Sequence, residues 1–551
     1  MKLSPILRLM WRHLNTVAWI ASVSAGVTAC QNRHFSPIAA GTLTSSDPRP
    51  TARLVFLTDV AGVLEPCGCT RDQLGGFSHF ASWLTRERER GVPTLVASSG
   101  PQFFADNHLS GDGADQARTK AAALARLMRA VEWAAFAPTV SDLADGTDQL
   151  AKLSQISGAT PMVEGAASPA PWSTLSVRDV GGLRVGFLGV TSAHIGASVD
   201  GGETTAQAVR EAFNRAKAAG AQVVVALVSV GRGQAKRIAD AVPELLAVVV
   251  GSANSTGGEN TVTPDPERVG DVLIVQAANH LQAAAVLDLY VREPIATGTI
   301  ARFSDGSDIE KASERSAVSR RRDELRIKIS GWQHDPSVLP ADIEARRREL
   351  SILDVEIERL TKSPSSIQGN FYRIAIEEIR ETLGSDPSAD RELKAYYKTV
   401  NEHNRIAFAG RMPVSASPSE ASYVGGDVCS GCHPAAREVW SRTAHSSAYG
   451  TLERESKEFN LDCVSCHVTG YEMPGGSSVT HVELLKNVQC ESCHGPGSKH
   501  ASSPLTTNII AAPAASTCLE CHRPPHVEHF DPVLRMRDIL GPGHGQSAPH
   551  N

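Results

Sequence analysis

The chain has 551 residues, with 54 Lys and Arg against 60 Asp and Glu, a net charge of −6 and 41% hydrophobic residues. At roughly 100–200 residues per domain this length holds two to four domains. The composition excludes wholesale disorder, and the mild acidity gives no case for nucleic-acid binding. The 11 Cys and 19 His are unevenly spread: eight Cys and 11 His fall in the last 123 residues, from Cys429 on. A body of ordinary composition is therefore joined to a tail rich in potential ligands.

The chain opens with Lys2, Arg8 and Arg12, then an apolar stretch from about Leu14 to Val27. That stretch is too short to span a bilayer and ends in small residues, the pattern of an export signal over residues 1–29. Val27-Thr28-Ala29-Cys30 resembles a bacterial lipobox, which implies lipidation of Cys30; simple cleavage after Ala29 is the alternative. Both readings export the chain, and Gln31 at the next position favours the outer membrane. Residues 30–51, rich in Ser, Thr and Pro, read as a tether.

From residue 52 to about 305, short runs rich in Val, Ile and Leu alternate with helical patterns. Strands are expected at Leu54–Leu57, Thr94–Ala97, Leu183–Val190, Gln222–Ser229, Leu246–Gly251, Val272–Gln276 and Ala284–Val291. Helices are expected at Ala114–Val131 and Thr204–Ala219, so the segment is an α/β domain around a buried sheet. Residues 306–410 turn charged and helical. Val318, Leu325 and Trp332 repeat by seven, as do Ile343, Leu350 and Ile357, with Leu353 and Leu360 interleaved. The reading is an antiparallel helical hairpin, a third helix over Asn370–Leu383 and a fourth over Asp390–Ile406. Residues 411–426 read as a second linker, rich in Pro, Ser and Gly.

The tail, residues 427–551, carries Cys429-x-x-Cys432-His433, Cys463-x-x-Cys466-His467, Cys490-x-x-Cys493-His494 and Cys518-x-x-Cys521-His522. Each is the haem c attachment pattern: two thiols add to the two vinyl groups of a haem, and the adjoining His reaches the iron. Zinc ribbons do not require a His after every second Cys, and disulfides explain no His at all. Four motifs within 94 residues use every Cys of the tail, so four covalently bound haem c groups are expected, and they supply the core that the tail's few large apolar residues cannot. The tail resembles the cytochrome c-554 family of multihaem cytochromes in Trp440-Ser-Arg-Thr-Ala-His445, in Asn487 through Gly495-Pro-Gly-Ser-Lys-His500, and in Phe530-Asp531 followed by His544-Gly545. The resemblance implies His445, His500 and His544 as distal iron ligands, with His526 and His529 as alternates. It also implies one haem without a protein ligand on its far side.

The body resembles the calcineurin-like metallophosphoesterase fold of periplasmic 5′-nucleotidases, and most of all a haem-associated branch with a segment like Leu64-Glu-Pro-Cys67-Gly-Cys69-Thr-Arg-Asp-Gln73-Leu-Gly75-Gly76. Active members hold two metals that activate water. Here Asp59 fits the first ligand, but Ala61 stands where His is needed. The remaining ligand positions read Ser99-Gly100-Pro101, Val140-Ser141-Asp142, Ser229-Val230-Gly231 and Gly251-Ser252-Ala253-Asn254. No dinuclear metal site is expected from such donors. Cys67 and Cys69 could form a disulfide, ligate a metal or haem, or stay as thiols.

The expected architecture is multidomain: an α/β metallophosphoesterase-like sandwich, an α-helical hairpin, and a small, mostly α tetrahaem cytochrome domain. The expected function is electron transfer at the envelope of a Gram-negative bacterium. Its partners would be other redox proteins and, through the lipid anchor, a membrane. The alternatives are a multihaem oxidoreductase acting on a nitrogen oxide or hydroxylamine, and a 5′-nucleotidase-like enzyme fused to a cytochrome.

Overall fold

The computed structural model describes residues 49–66, 73–163, 172–191, 202–253, 260–296, 298–333, 338–362, 369–523, 527 and 530–544. The export signal, Cys30, Cys67, Cys69, His526 and His529 lie outside these residues. In chain order the strands are β1 Ala52–Thr58, β2 Thr94–Ser99, β3 Trp133–Ala137, β4 Thr160–Pro161, β5 Ser176–Val180, β6 Leu183–Thr191 and β7 Val223–Ser229. They continue with β8 Ala247–Gly251, β9 Glu267–Val269, β10 Val272–Val275, β11 Ala283–Tyr290, β12 Ser304–Asp305 and β13 Phe371–Glu378. The long helices are α1 Phe77–Glu89, α2 Ala114–Ala130, α3 Thr147–Ser157, α4 Gly202–Ala218, α5 Arg232–Ala241, α6 Ile309–Trp332, α7 Pro340–Lys362 and α8 Pro387–Ala407.

Two sheets form the body. One runs β12-β13-β11-β1-β2-β3-β4 and the other β5-β6-β7-β8-β10-β9. Strands β1, β7 and β8 are fully buried and, apart from Arg53 and Thr58 on β1 and Ser229 on β7, apolar, as strands covered on both faces are expected to be. Between the sheets pack Phe56, Leu54, Phe187, Val225, Val249 and Leu287. The outer face of the first sheet meets α1, α2, α3 and α8 through Phe77, Phe80, Leu124, Leu150 and Leu393. The outer face of the second meets α4 and α5 through Phe213, Ala216 and Ile238. The result is a helix–sheet–sheet–helix sandwich with three apolar layers.

The hairpin is present as α6 and α7, with Leu325, Ile329 and Leu360 buried. The stretch after it departs from expectation. Residues 371–378 form a strand, not a helix. Phe371, Tyr372 and Ile374 are aromatic or β-branched, and β13 pairs antiparallel to β11 with Leu287 opposite Ile374. Its charged residues Arg373, Glu377 and Glu378 suggested a solvated helix; on a strand near the sheet's margin they lie beside the ladder instead. Helix α8 starts where Asp386 accepts hydrogen bonds from Ser388 N and Ala389 N, with Pro387 in the first turn. It buries Ala389, Leu393, Tyr396, Val400 and Asn404, one face at helical spacing. Residues 371–407 thus complete the body rather than extend the connector.

The stretch 411–426 does not behave as a free linker either. Ser422 N donates to Ser498 Oγ at 2.8 Å, and Val424 N to Glu491 Oε1 at 3.0 Å. Glu491 is 1% exposed and also accepts from Gly425 N at 2.8 Å and Gly497 N at 2.7 Å. Inside the third motif, this carboxylate ties the start of the tail to its middle. Among the described residues no helix is long and apolar enough to cross a membrane.

Candidate functional site

The tail is built of short helical turns, and each motif sits on one. Helical turns at Gly426–Ser430, Val464–His467 and Cys490–His494, and a 3₁₀ segment at Ala515–Glu520, carry part or all of each motif. In the first and fourth motifs a turn hydrogen bond runs back to the first Cys, from His433 N to Cys429 O at 2.9 Å and from His522 N to Cys518 O at 2.9 Å. The eight motif cysteines are free of disulfides.

The histidines come together across motifs. His433 faces His500 with ring centroids 6.3 Å apart and planes 23° from parallel. His445 faces His522 at 6.1 Å and 49°. Two imidazoles on opposite sides of one metal ion, each nitrogen about 2 Å from it, put their centroids roughly 6 Å apart. Both pairs have that spacing. His544 stands near enough to His494 and His433 to feel their charge, and burial pulls its basicity down. Among the described residues no second imidazole stands opposite His467 in this way. The remaining ring nitrogens are oriented: Nδ1 of His467 lies 2.7 Å from Ala448 O, that of His494 2.8 Å from Ile510 O, and that of His500 3.0 Å from Leu505 O. A carbonyl on Nδ1 fixes the ring and leaves Nε2 for a metal. His522 stacks on Phe530 at 4.2 Å, and the Nδ1 atoms of His522 and His544 are buried with no partner among the described residues. At the first and fourth motifs the thiol pair, the adjoining imidazole and the facing imidazole together fit an iron porphyrin.

The positions corresponding to a dinuclear metal site also converge, at the ends of β1, β2, β3, β7 and β8, but their chemistry differs. Asp59 is 1% exposed; its Oδ1 accepts from Ser252 N at 2.7 Å and its Oδ2 from Ser252 Oγ at 2.9 Å. Asp142 accepts from Phe103 N at 2.7 Å and from Gln102 N and Thr139 N, both at 2.9 Å. Gly100 N donates to Ser229 Oγ at 3.0 Å. Gly100 has a φ of +86°, and a Cβ there would lie 1.9 Å from Asp59 Oδ1, so glycine is required for this closure. Both carboxylates are committed to protein donors, and His280 meets Asp59 through its backbone N, which donates to Asp59 O at 3.0 Å. Among the described residues no group of three or more His, Cys, Asp or Glu is placed to hold a metal ion.

Burial pushes the Asp59 carboxyl up to about 6 against the hydrogen bonds from Ser252, and that of Asp142 likewise to about 6 against its backbone donors. An acid whose folded value is raised binds its proton more tightly when folded. It therefore contributes stability at low pH that is lost as pH rises through about 4 to 6. Asp59→Asn keeps an acceptor for Ser252 N and offers a donor to Ser252 Oγ. It is expected to flatten the fall in stability between about pH 4 and 6, a difference on the order of 3 kcal/mol at pH 7. Denaturation followed by far-UV circular dichroism at about pH 4, 5, 6 and 7 checks this; an Asp59→Asn protein less stable than the parent at neutral pH would sink it.

Four residues in the joint between body and tail carry no motif: Gln116, Lys120, Asn404 and Asn460. Only the burial of the three amides and the pairing of Lys120 in three dimensions mark them.

Among solved structures, the chain is similar to a 5′-nucleotidase precursor from Thermus thermophilus, at 14% identity and a TM-score of 0.40, covering 77% of this chain and 71% of that one. It is also similar to an NAD nucleotidase of Haemophilus influenzae, at 14% identity and a TM-score of 0.38, covering 68% and 63%. A curated relative, cytochrome c-554 of Nitrosomonas europaea, is 36% identical over an alignment of 95 residues, with a coverage of 14% of this chain. The match spans only 40% of that cytochrome. Residues 428–495 match the model of the family described as Cytochrome c554 and c-prime, so this segment of the tail is similar to c-type cytochromes.

Proposed function

We propose that the chain is a tetrahaem c-type cytochrome that passes electrons in the cell envelope, with its α/β body serving as scaffold or docking module. The observation that carries this reading is the facing of histidines from different haem motifs at the spacing of two ligands on one iron. The haem bound by Cys429 and Cys432 takes His433 and His500. The haem of Cys518 and Cys521 takes His522 and His445. The haem of Cys490 and Cys493 takes His494 and His544. The haem of Cys463 and Cys466 takes His467. Haem held between two imidazoles has no open site and supplies reversible one-electron chemistry. The Cys429 thiol lies within hydrogen-bond reach of Cys490, and that of Cys466 within reach of Cys521. Neighbouring attachment points support close porphyrins and rapid exchange between them. The export signal and Cys30 support a periplasmic, lipid-anchored location, outer membrane favoured, facing other redox proteins of the envelope and no nucleic acid.

Mass spectrometry of the purified chain and EPR of its oxidised form test the reading. Four covalent haems are expected, with low-spin signals dominating. A spectrum dominated by high-spin iron, or a chain with no covalent haem, overturns it.

A second reading is favoured by one observation: His467 has no facing imidazole among the described residues. An open haem there could act on a nitrogen oxide or hydroxylamine. Cyanide or nitric oxide binding at a single haem, with turnover abolished by His467→Ala, would establish it. Manganese-dependent release of phosphate from AMP would instead revive the nucleotidase reading.

A further inference from the structure

The stretch that leads into the second motif is held by the α/β body, not by the tail alone. Gln116 on α2, Asn404 on α8 and Asn460 form the joint, and none is more than 3% exposed. Gln116 Nε2 donates to Asn460 Oδ1 at 3.1 Å, while Gln116 Oε1 accepts from Asn404 Nδ2 and Leu461 N, both at 2.9 Å. Asn404 Nδ2 also donates to Phe459 O at 2.9 Å, and Phe459 N donates to Asn401 Oδ1 at 2.9 Å. A buried amide network satisfied in this way fixes one geometry. Asn460 O in turn accepts from Cys463 N at 3.0 Å and Val464 N at 2.9 Å, so the network sets the first turn of the motif itself. Further ties between body and tail cluster nearby: Lys457 Nζ meets Glu65 at 3.0 Å and Tyr397's ring at 4.0 Å, and Arg411 bridges Asp112 and Glu472.

One charged pair lies at the centre of this joint. Lys120 Nζ, from α2, is 2.6 Å from Asp462 Oδ2, and Asp462 directly precedes Cys463. The Lys120 side chain is 29% exposed and that of Asp462 53%, so water screens the pair from the Asp462 side but less from that of Lys120. A carboxylate beside a haem favours the ferric state, because oxidation adds positive charge; a lysine beside that carboxylate cancels the effect.

We propose that the α/β body governs one haem selectively, the one attached at Cys463 and Cys466, and that Lys120 sets its reduction potential by neutralising Asp462. This rests on the haem reading of the motifs. It gives the body a role that needs no hydrolytic site: it is the holder and electrostatic tuner of one haem. Lys120 is a positioning residue here, acting through Asp462.

The test is a potentiometric titration of the full, haem-loaded chain, followed by optical and EPR spectra. Lys120→Met is expected to lower the potential of one haem, on the order of tenfold in its reduction equilibrium, or about 59 mV for one electron. Lys120→Arg keeps the charge and restores the parent value, as does Lys120→Met combined with Asp462→Asn. Arg126→Met, on the same helix but paired with Glu392 of the body, leaves all potentials in place. Unchanged potentials in Lys120→Met, or a shift that persists in the double variant, overturn the proposal. Failure of the underlying haem reading shows separately, as a denatured chain without covalent haem.

Discussion

Replacing His445 by methionine is expected to change the last haem of the chain, not the first. His445 follows the first motif by twelve residues, yet its ring stands 6.1 Å from His522 of the fourth motif. His433 of the first motif is met by His500 instead. His445→Met and His522→Met should therefore each create one His–Met haem with a raised potential. The two together should leave no His–Met signature at all, because both replaced ligands sit on the same iron. Replacing His445 and His433 together should give two His–Met haems, since those residues belong to different irons. The measurement is the count of His–Met haems by optical and EPR spectra of the oxidised protein. Two His–Met haems in the His445/His522 double variant would show that these residues sit on different irons, and one would show that only one of them is a ligand. This pattern of non-additivity separates shared from independent sites without assigning any signal to a particular haem beforehand.

The pairing could not have been read from the chain. The Cys-x-x-Cys-His spacing is local chemistry, so the sequence specifies which thiols and which proximal His belong to one group. A distal ligand is a matter of tertiary approach. His500 lies six residues after His494 and His445 twelve after His433, and proximity along the chain would have matched each to the wrong neighbour. The strands of the body were legible for the opposite reason. Val223–Ser229 and Ala247–Gly251 are apolar on both faces, and no solvated helix has that pattern. The strand Phe371–Glu378 was not, because its exposed positions carry Arg and Glu at intervals that also suit a helix. Its partner β11, 81 residues earlier where Tyr290 meets Phe371, decides the matter.

The site at the strand ends was half legible. The loss of ligands could be counted in the sequence: Ala61, Pro101 and Ser252 stand where the resemblance calls for His, Asp and His. What fills the space could not. The Ser252 side chain turns back onto Asp59, Asp142 gathers three backbone donors, and Gly100 lets Asp59 close over it. The lysine and amides that join body to tail were silent, since Gln116, Lys120 and Asn404 sit on helices whose patterns look complete without them. A buried polar residue in a helix reads as surface until its partner from another element is known.

Arg53→Met is expected to cost about 3–5 kcal/mol of body stability. Arg53 lies on β1 and is 4% exposed. Its Nε reaches Asp288 Oδ1 on β11 at 2.6 Å and its Nη2 reaches Asp288 Oδ2 at 2.8 Å, a bidentate pair. Its Nη1 also binds Glu87 on α1. These two carboxylates hold the guanidinium well above its ordinary basicity despite burial. Removing the cation leaves Asp288 nearly buried without its bidentate partner and Glu87 with Arg90 alone, and Glu377 nearby, already pushed up by burial and by Glu87, adds to the repulsion. The penalty belongs to the broken pair rather than to the loss of a stabilising bond. Arg53→Met with Asp288→Leu and Glu87→Gln should therefore recover most of it, since a neutral packed core is often no less stable than a buried ion cluster. Chemical denaturation followed by far-UV circular dichroism measures both. A loss below about 1 kcal/mol in the single variant, the size of a surface pair, would mean that water reaches the cluster. Because α8 packs on the same sheet and carries Asn404, the destabilised body should also release its grip on Phe459–Asp462 at lower denaturant. Only the haem at Cys463 and Cys466 should change its spectrum in that range.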